Sequence, residues 1–499
     1  MFANSGNQSL ESLSSGARSL REIVTPRRQF LSSTACGFGS LALAALMAQR
    51  SSGAESTLKS NPQHSKSGHG IPRAKRVIFM FMNGGPSQME TFDYKPRLNA
   101  EDGRPVPFNR DGKFEQIGIQ SMRLFGSEWK FRQHGESGQW ISELLPHLAD
   151  RADDLCVLNG METDNLAHAP ACHQLHTGVT NFVRPSLGAW VVYGLGTFNQ
   201  NLPGFMTISP ALSGDGGSRA HFGNAFLPTM CQATPVNLSN KPGAQPEIKN
   251  LRSTSLPASL RRQQLDLIQS MNREHLEGLV ADQEMEGVIE SFELAFRMQA
   301  AAPDLLDLSS ETKATQALYG IGEKGTDYFG RQCLLARRLA EAGVRFIQVN
   351  SGGWDHHARI RERLPQNCHS VDKPIAGLIR DLKTRGLFDE TLLVWSGEFG
   401  RTPYEQDLRG TADRDIYGRG HNPHGFSAFL AGGGVRGGMR YGETDEYGYR
   451  SVDGKVHIHD LHATILHLLG LDHEKLTYRH GGQDFRLTEV YGRVVREIL

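Results

Sequence analysis

The chain has no surplus of charge: 54 basic side chains face 54 acidic ones, for a formal net charge of +0. No long-range field therefore draws it to nucleic acid or to an anionic membrane surface. After the first fifty residues no apolar run nears the ~18 uninterrupted residues from which a membrane span is read. No nucleic-acid partner and no stable membrane span are expected. Cysteine is scarce, six in 499 residues, and no Cys-x-x-Cys pair occurs. Cys36 lies near the N-terminus, and Cys156, Cys172, Cys231, Cys333 and Cys368 are scattered. Setting aside Cys36, which falls in the expected leader, five remain, and an odd number without regular spacing argues against a disulfide framework and against a structural zinc site. Internal repeats are absent too. Histidine, by contrast, is plentiful: 20 residues, many beside Asp, Asn or Gly in polar segments.

The N-terminus reads as an export address. Arg27-Arg28 stands just ahead of a weakly hydrophobic run from Ala35 to Ala48, the order read by the twin-arginine machinery. The run is about fourteen residues long, short of the ~20 a spanning helix needs. Ser52-Gly53-Ala54 offers a small-x-small cleavage site. Residues 1–54 are therefore expected to be a twin-arginine signal peptide, residues 55–72 a flexible linker, and residues 73–499 one α/β domain. The expected destination is the periplasm or the extracellular space. An uncleaved anchor is the alternative reading of the same segment.

A continuous apolar run at Val77–Met82 reads as a strand buried on both faces, and similar strands recur at Leu155–Leu158, Val344–Val349 and Thr391–Trp395. Helical stretches lie between them, such as Phe329 to Ala342 and a longer helix through Ile375–Leu382. Strand and helix in alternation imply parallel pairing with right-handed crossovers. The region 201–257, rich in Pro, Gly, Asn and Ser, reads as an insertion or cap, and Leu260 to Ala301 as helix. Near the end, His459 to Gly470 reads as a further helix.

Three polar clusters adjoin these strands. Gly352-Gly353-Trp354-Asp355-His356-His357 follows one strand, and Ser396-Gly397-Glu398-Phe399-Gly400-Arg401 follows the next. Gly420-His421-Asn422-Pro423-His424-Gly425 precedes the apolar run Phe426–Leu430. Ligands of an open parallel sheet bind beyond the carboxyl ends of its strands, so the first two clusters should converge there. Asp with His suits zinc, manganese or iron; an oxygen-rich set suits magnesium or calcium. Taken singly, the Asp-His-His loop is more often a hydrogen-bonded turn, Glu398 with Arg401 can be a loop-tying ion pair, and His421 with His424 can be loop solvation or a helix cap.

Asp-x-His after one strand, an acidic residue after the next, and His-Gly before a third resemble the alkaline phosphatase and sulfatase superfamily. A closer resemblance is to the bacterial domain of unknown function 1501 family. Its motifs are similar to Asn83-Gly84-Gly85-Pro86-Ser87, Thr163 to Pro170, Gly353 to His357, Gly397 to Pro403 and Gly420 to Gly425. The resemblance implies a three-layer α/β/α sandwich with a mainly parallel sheet, of the alkaline phosphatase/sulfatase type. It also implies a secreted metal-dependent hydrolase of phosphate or sulfate esters. The implied cofactor is a divalent metal: zinc, manganese or calcium. A small anionic ester or a sulfated polysaccharide is the implied partner.

Within that resemblance Asp355, His357 and His424 are expected to hold the better metal site. Side chains two apart in an extended loop share a side, so His357 should join Asp355 while His356 points away. Glu398, Asn83 and His168 would border a second position, with His421 close by. Arg401 and Arg184 are candidates for the anionic group, because a guanidinium matches two oxygens at once. Ser87 and Thr163 are candidate nucleophiles. Departures from the superfamily pattern favour a second reading, a catalytically degenerate binding or assembly protein of the cell envelope. Asn83 stands where an Asp is usual, Phe399 where a His is usual, and no Cys/Ser-x-Pro-x-Arg motif occurs.

Overall fold

The strand at Arg76–Met82 (β1) is buried along its whole length, and its side chains alternate between two cores. Ile78, Met80 and Met82 enter one core; Val77, Phe79 and Phe81 enter the other. A strand so apolar on both faces needs a layer on each side, and the computed structural model supplies both. It describes residues 69–107, 122–209, 217–251, 257–277, 283–406 and 413–499. The expected leader and nearly all of the expected linker lie outside the described residues.

Eight further strands complete the main sheet: β2 (Leu155–Glu162), β3 (Phe205–Ile208), β4 (Thr234–Val236), β5 (Phe346–Ser351), β6 (Thr391–Ser396), β7 (Phe426–Ala431), β8 (Met439–Tyr441) and β9 (Val456–His457). Their order is β8-β2-β7-β6-β1-β5-β3-β4, with β9 also beside β2. Six of the eight pairings are parallel; β7 alone runs against its neighbours β6 and β2. The expected side-by-side placement of Val77–Met82, Val344–Val349 and Thr391–Trp395 therefore holds, with β1 flanked by β5 and β6.

One face of the sheet is covered by helices α1 (His168–Thr177), α2 (Leu187–Leu195) and α7 (Ile458–Leu468). The other carries α4 (Gln283–Leu306), α5 (Asp327–Glu341) and α6 (Ile360–Thr384), with α3 (Ala258–Glu277) packed on α4. This is a three-layer α/β/α sandwich, as expected. Among the described residues no helix is long and apolar enough to cross a membrane.

One expectation is corrected. The region 201–257 does not stand outside the sheet, because Phe205–Ile208 pairs with β5 and Thr234–Val236 pairs with it in turn. Four-residue and three-residue strands are too short to stand out in a Pro- and Gly-rich stretch. The late helix starts one residue before His459 and is capped by the His457 side chain in a capping box with Asp460. Imidazole is not among the residue types from which an N-cap is ordinarily read.

Candidate metal centre

Because β7 runs backwards, the loop that precedes it sits at the same edge as the loops that follow β1, β5 and β6. Four chain segments meet there, and close backbone approach sets their positions. Gly84, after β1, has φ +119°, and a Cβ on it would lie 2.5 Å from the Asp355 amide nitrogen. Only glycine lets the β1 loop lie against the β5 loop at this point. The hairpin of Gly400–Gln406 and Gly418–Asn422 closes the site from the other side. Its register shifts between Arg419 and His421, and a bulge of this kind re-aims a side chain.

His168, Asp355, His357 and His421 bring their ligand atoms within 4.8 Å of one another. Nε2 of His357 lies 3.0 Å from Asp355 Oδ1, and Nε2 of His421 lies 3.2 Å from the same oxygen. Nε2 of His168 lies 3.3 Å from Oδ2. Each ring is held from behind through its other nitrogen. His168 Nδ1 is 2.6 Å from Glu398 Oε1, His357 Nδ1 is 2.5 Å from Gln406 Oε1, and His421 Nδ1 is 2.6 Å from the Leu166 carbonyl oxygen. With an acceptor behind each Nδ1, that nitrogen carries a proton, and Nε2 faces inward toward Asp355, where loss of its own proton would free a lone pair for a cation. Three such nitrogens and one carboxylate are a set that transition-metal cations accept.

Phe399 forms the apolar floor, with its ring centroid 4.4 Å from that of His421 and 5.0 Å from that of His168. The position expected to lack a ligand is thus filled by a ring that props two histidines.

Burial by itself would raise the Asp355 pKa. Hydrogen bonds from His168, His357 and His421, with the Arg401 charge, instead hold it well below the usual carboxylate range. For His168 burial opposes the charge, but Asp355 and Glu398 outweigh it and push the pKa up to about 9. Burial lowers His421, against the pull of Asp355. Without a cation, then, the two carboxylates hold a proton on His168, which a metal ion would displace.

The expected site residues fall into three groups. Asp355, His357 and His168 come together. His421 is the fourth member, in place of His424, which lies beyond the hairpin strand with its carbonyl accepting from Ser451 N at 2.7 Å and its ring against Tyr449. His356 turns away as the alternation argument requires: it is buried beside Trp354, and burial lowers its pKa to about 4.

The second group borders the cluster without joining it. Glu398 stands behind His168, and Asn83 Oδ1 faces the Cys172 thiol at 3.9 Å. Arg401 is fully buried. It donates to the carbonyls of Gly84, Gly85 and Arg419 and, at 2.6 Å, to Asp355 Oδ1, so it positions the carboxylate and is not free to clasp an anion.

The third group lies outside the cluster. Arg184 stacks on Phe485 at 4.4 Å and faces Glu489. Thr163 donates to Gln174 at 2.9 Å, and Ser87 is buried at the start of a four-residue helix. Sequence reasoning missed Gln406, a strand-end glutamine outside any motif, and the Leu166 carbonyl, which no side-chain pattern can signal.

The fold and the site define an α/β/α protein with a candidate three-histidine, one-aspartate metal centre at one sheet edge. The chain belongs to the family described as Protein of unknown function (DUF1501), matched over residues 74–499. No curated protein matches the sequence with significance. Among solved structures it aligns with the lipoteichoic acid synthase LtaP from Listeria monocytogenes at 10% identity, covering 86% of this chain and 78% of that one, TM-score 0.35. It also aligns with the PsFucS1 sulfatase from Pseudoalteromonas sp. at 12% identity, covering 80% and 68%, TM-score 0.33. With the alkaline phosphatase from the Antarctic bacterium TAB5 the values are 9%, 79% and 98%, TM-score 0.32. Overlap this slight carries no residue, substrate or reaction across.

Proposed function

We propose that the protein is an exported, metal-dependent hydrolase of phosphate or sulfate esters. The observation that carries this reading is the convergence of three inward-facing Nε2 atoms on Asp355, each ring fixed from behind. Nitrogen donors with one carboxylate fit zinc or manganese better than calcium, which takes six to eight oxygens. When bound, such a cation polarises an ester oxygen and lowers the pKa of water.

The chain's own residues do the rest. Arg401 fixes Asp355, Phe399 dries the floor, and the glycine contacts hold the loops in register. The Asp355 and His357 side chains remain 26% and 28% exposed, which leaves the cluster open on one side to a small anionic ester or a sulfated polysaccharide end. Thr163 is engaged with Gln174 and Ser87 is buried, which favours water as the attacking group. Export by the twin-arginine route to the periplasm or beyond rests on Arg27-Arg28 and the short apolar run.

A second reading keeps the metal and drops the turnover: a binding or assembly protein of the cell envelope. Asn83 in place of a carboxylate and Arg401 already engaged with backbone carbonyls support it. Metal analysis of the purified chain, with a screen of aryl phosphates and aryl sulfates, separates the two. Bound metal with turnover, both lost in Asp355→Ala, is the expected result. Metal without turnover on any ester supports the binder, and absence of metal overturns both.

A further inference from the structure

We infer that Glu398 is a positioning residue, not a metal ligand, and that the site holds a single divalent cation. This rests on the metal-centre reading above and specifies it. Glu398 is fully buried, and both of its oxygens face the Gly84 amide, at 3.0 and 3.1 Å. Oε1 also takes His168 Nδ1 at 2.6 Å. The His168 ring thus stands between Glu398 and the cluster. A cation held at ~2 Å by an inward Nε2 is out of reach of a carboxylate on the far side of that ring.

The donors for a second cation are lacking on this side. Asn83 Oδ1 faces a buried thiol rather than a carboxylate, and Phe399 closes the underside. Among the described residues only the His168, Asp355, His357 and His421 group has three or more His, Cys, Asp or Glu side chains placed to hold an ion. Of the three acceptors behind the histidines, Glu398 alone is charged; Gln406 and the Leu166 carbonyl are neutral. Its charge strengthens His168 as a donor and fixes its tautomer, the task of an outer carboxylate on a ligating histidine.

The test is zinc stoichiometry and affinity, measured by equilibrium dialysis on the full chain and on Glu398→Gln. One zinc per wild-type chain is expected. Glu398→Gln should still bind one, about 10- to 100-fold more weakly, the usual loss when an outer partner is removed. Two ions in the wild type, falling to one in Glu398→Gln, would show that Glu398 is a ligand and overturn the inference while leaving the metal centre intact. No zinc on the wild type would sink the metal-centre reading and this inference with it. Should the variant fail to fold, the zinc-loaded wild type decides. A retained His168 Nδ1–H resonance is expected, and zinc on Nδ1 overturns the assignment.

Discussion

His421 and His424 lie three residues apart in one motif, and only the hairpin bulge decides between them. A sequence shows two histidines near a turn; it does not show the register shift that turns the first one inward. His421→Ala should lose bound zinc, and His424→Ala should keep it, as read by metal analysis of the two purified variants. Zinc retained in the first and lost in the second would return the ligand role to His424. Arg401 teaches a related lesson. Its place beside Glu398 was legible, but its burial was not, because no pattern distinguishes an exposed guanidinium from one capped by carbonyls. Arg401→Ala leaves the Gly84 and Gly85 carbonyls unpaired and Asp355 without its cation. The expected cost is about 3–5 kcal/mol, read from urea denaturation, and a loss under about 1 kcal/mol would mean that the network relaxes around the gap.

At the scale of elements, the apolar runs placed β1, β2, β6 and β7 because strands buried on both faces leave a near-continuous signature, and β5 was legible from its apolar residues despite Gln348. Phe205–Ile208 and Thr234–Val236 left none, being short and set among prolines and glycines. Asp355 and His357 were legible from the strand before them, and the alternation argument turned His356 away from the cluster, where the structure buries it. The hairpin was missed altogether, although it supplies His421 and the support of His357. Its fit depends on Gly418, where an added Cβ would lie 2.2 Å from the His357 carbonyl carbon and 2.3 Å from the His356 oxygen. Both neighbours are backbone, so no rotamer change relieves the clash. Gly418→Ala should lose about 1–3 kcal/mol through overpacking and weaken zinc binding together. Unchanged affinity in that variant would show that the hairpin does not set the metal geometry.

Across the whole molecule, several buried histidines resist protonation. Burial lowers His176 and His356 to about 4 and His462 to about 3, from an ordinary value of 6.5. Folded values below the unfolded one mean that the unfolded chain takes up protons the native state refuses. Stability from these groups is complete above about pH 6.5 and is lost as the pH falls toward about 4–3. The urea midpoint should therefore fall between about pH 7 and about pH 4.5, with a shallower fall in His462→Gln. A midpoint that does not move would count against neutral burial. Export is tested on the intact precursor: replacing Arg27 and Arg28 with Lys should leave it in the cytoplasm, and unchanged export would point to another route.

The four metal-facing residues come from three widely separated stretches of chain: His168, then Asp355 with His357, then His421. During synthesis the nascent polypeptide therefore has at most three of the four donors until the hairpin has emerged and docked against the sheet. A bound ion would then be held in full only by a finished molecule, and a truncated copy lacking the hairpin would hold it less tightly.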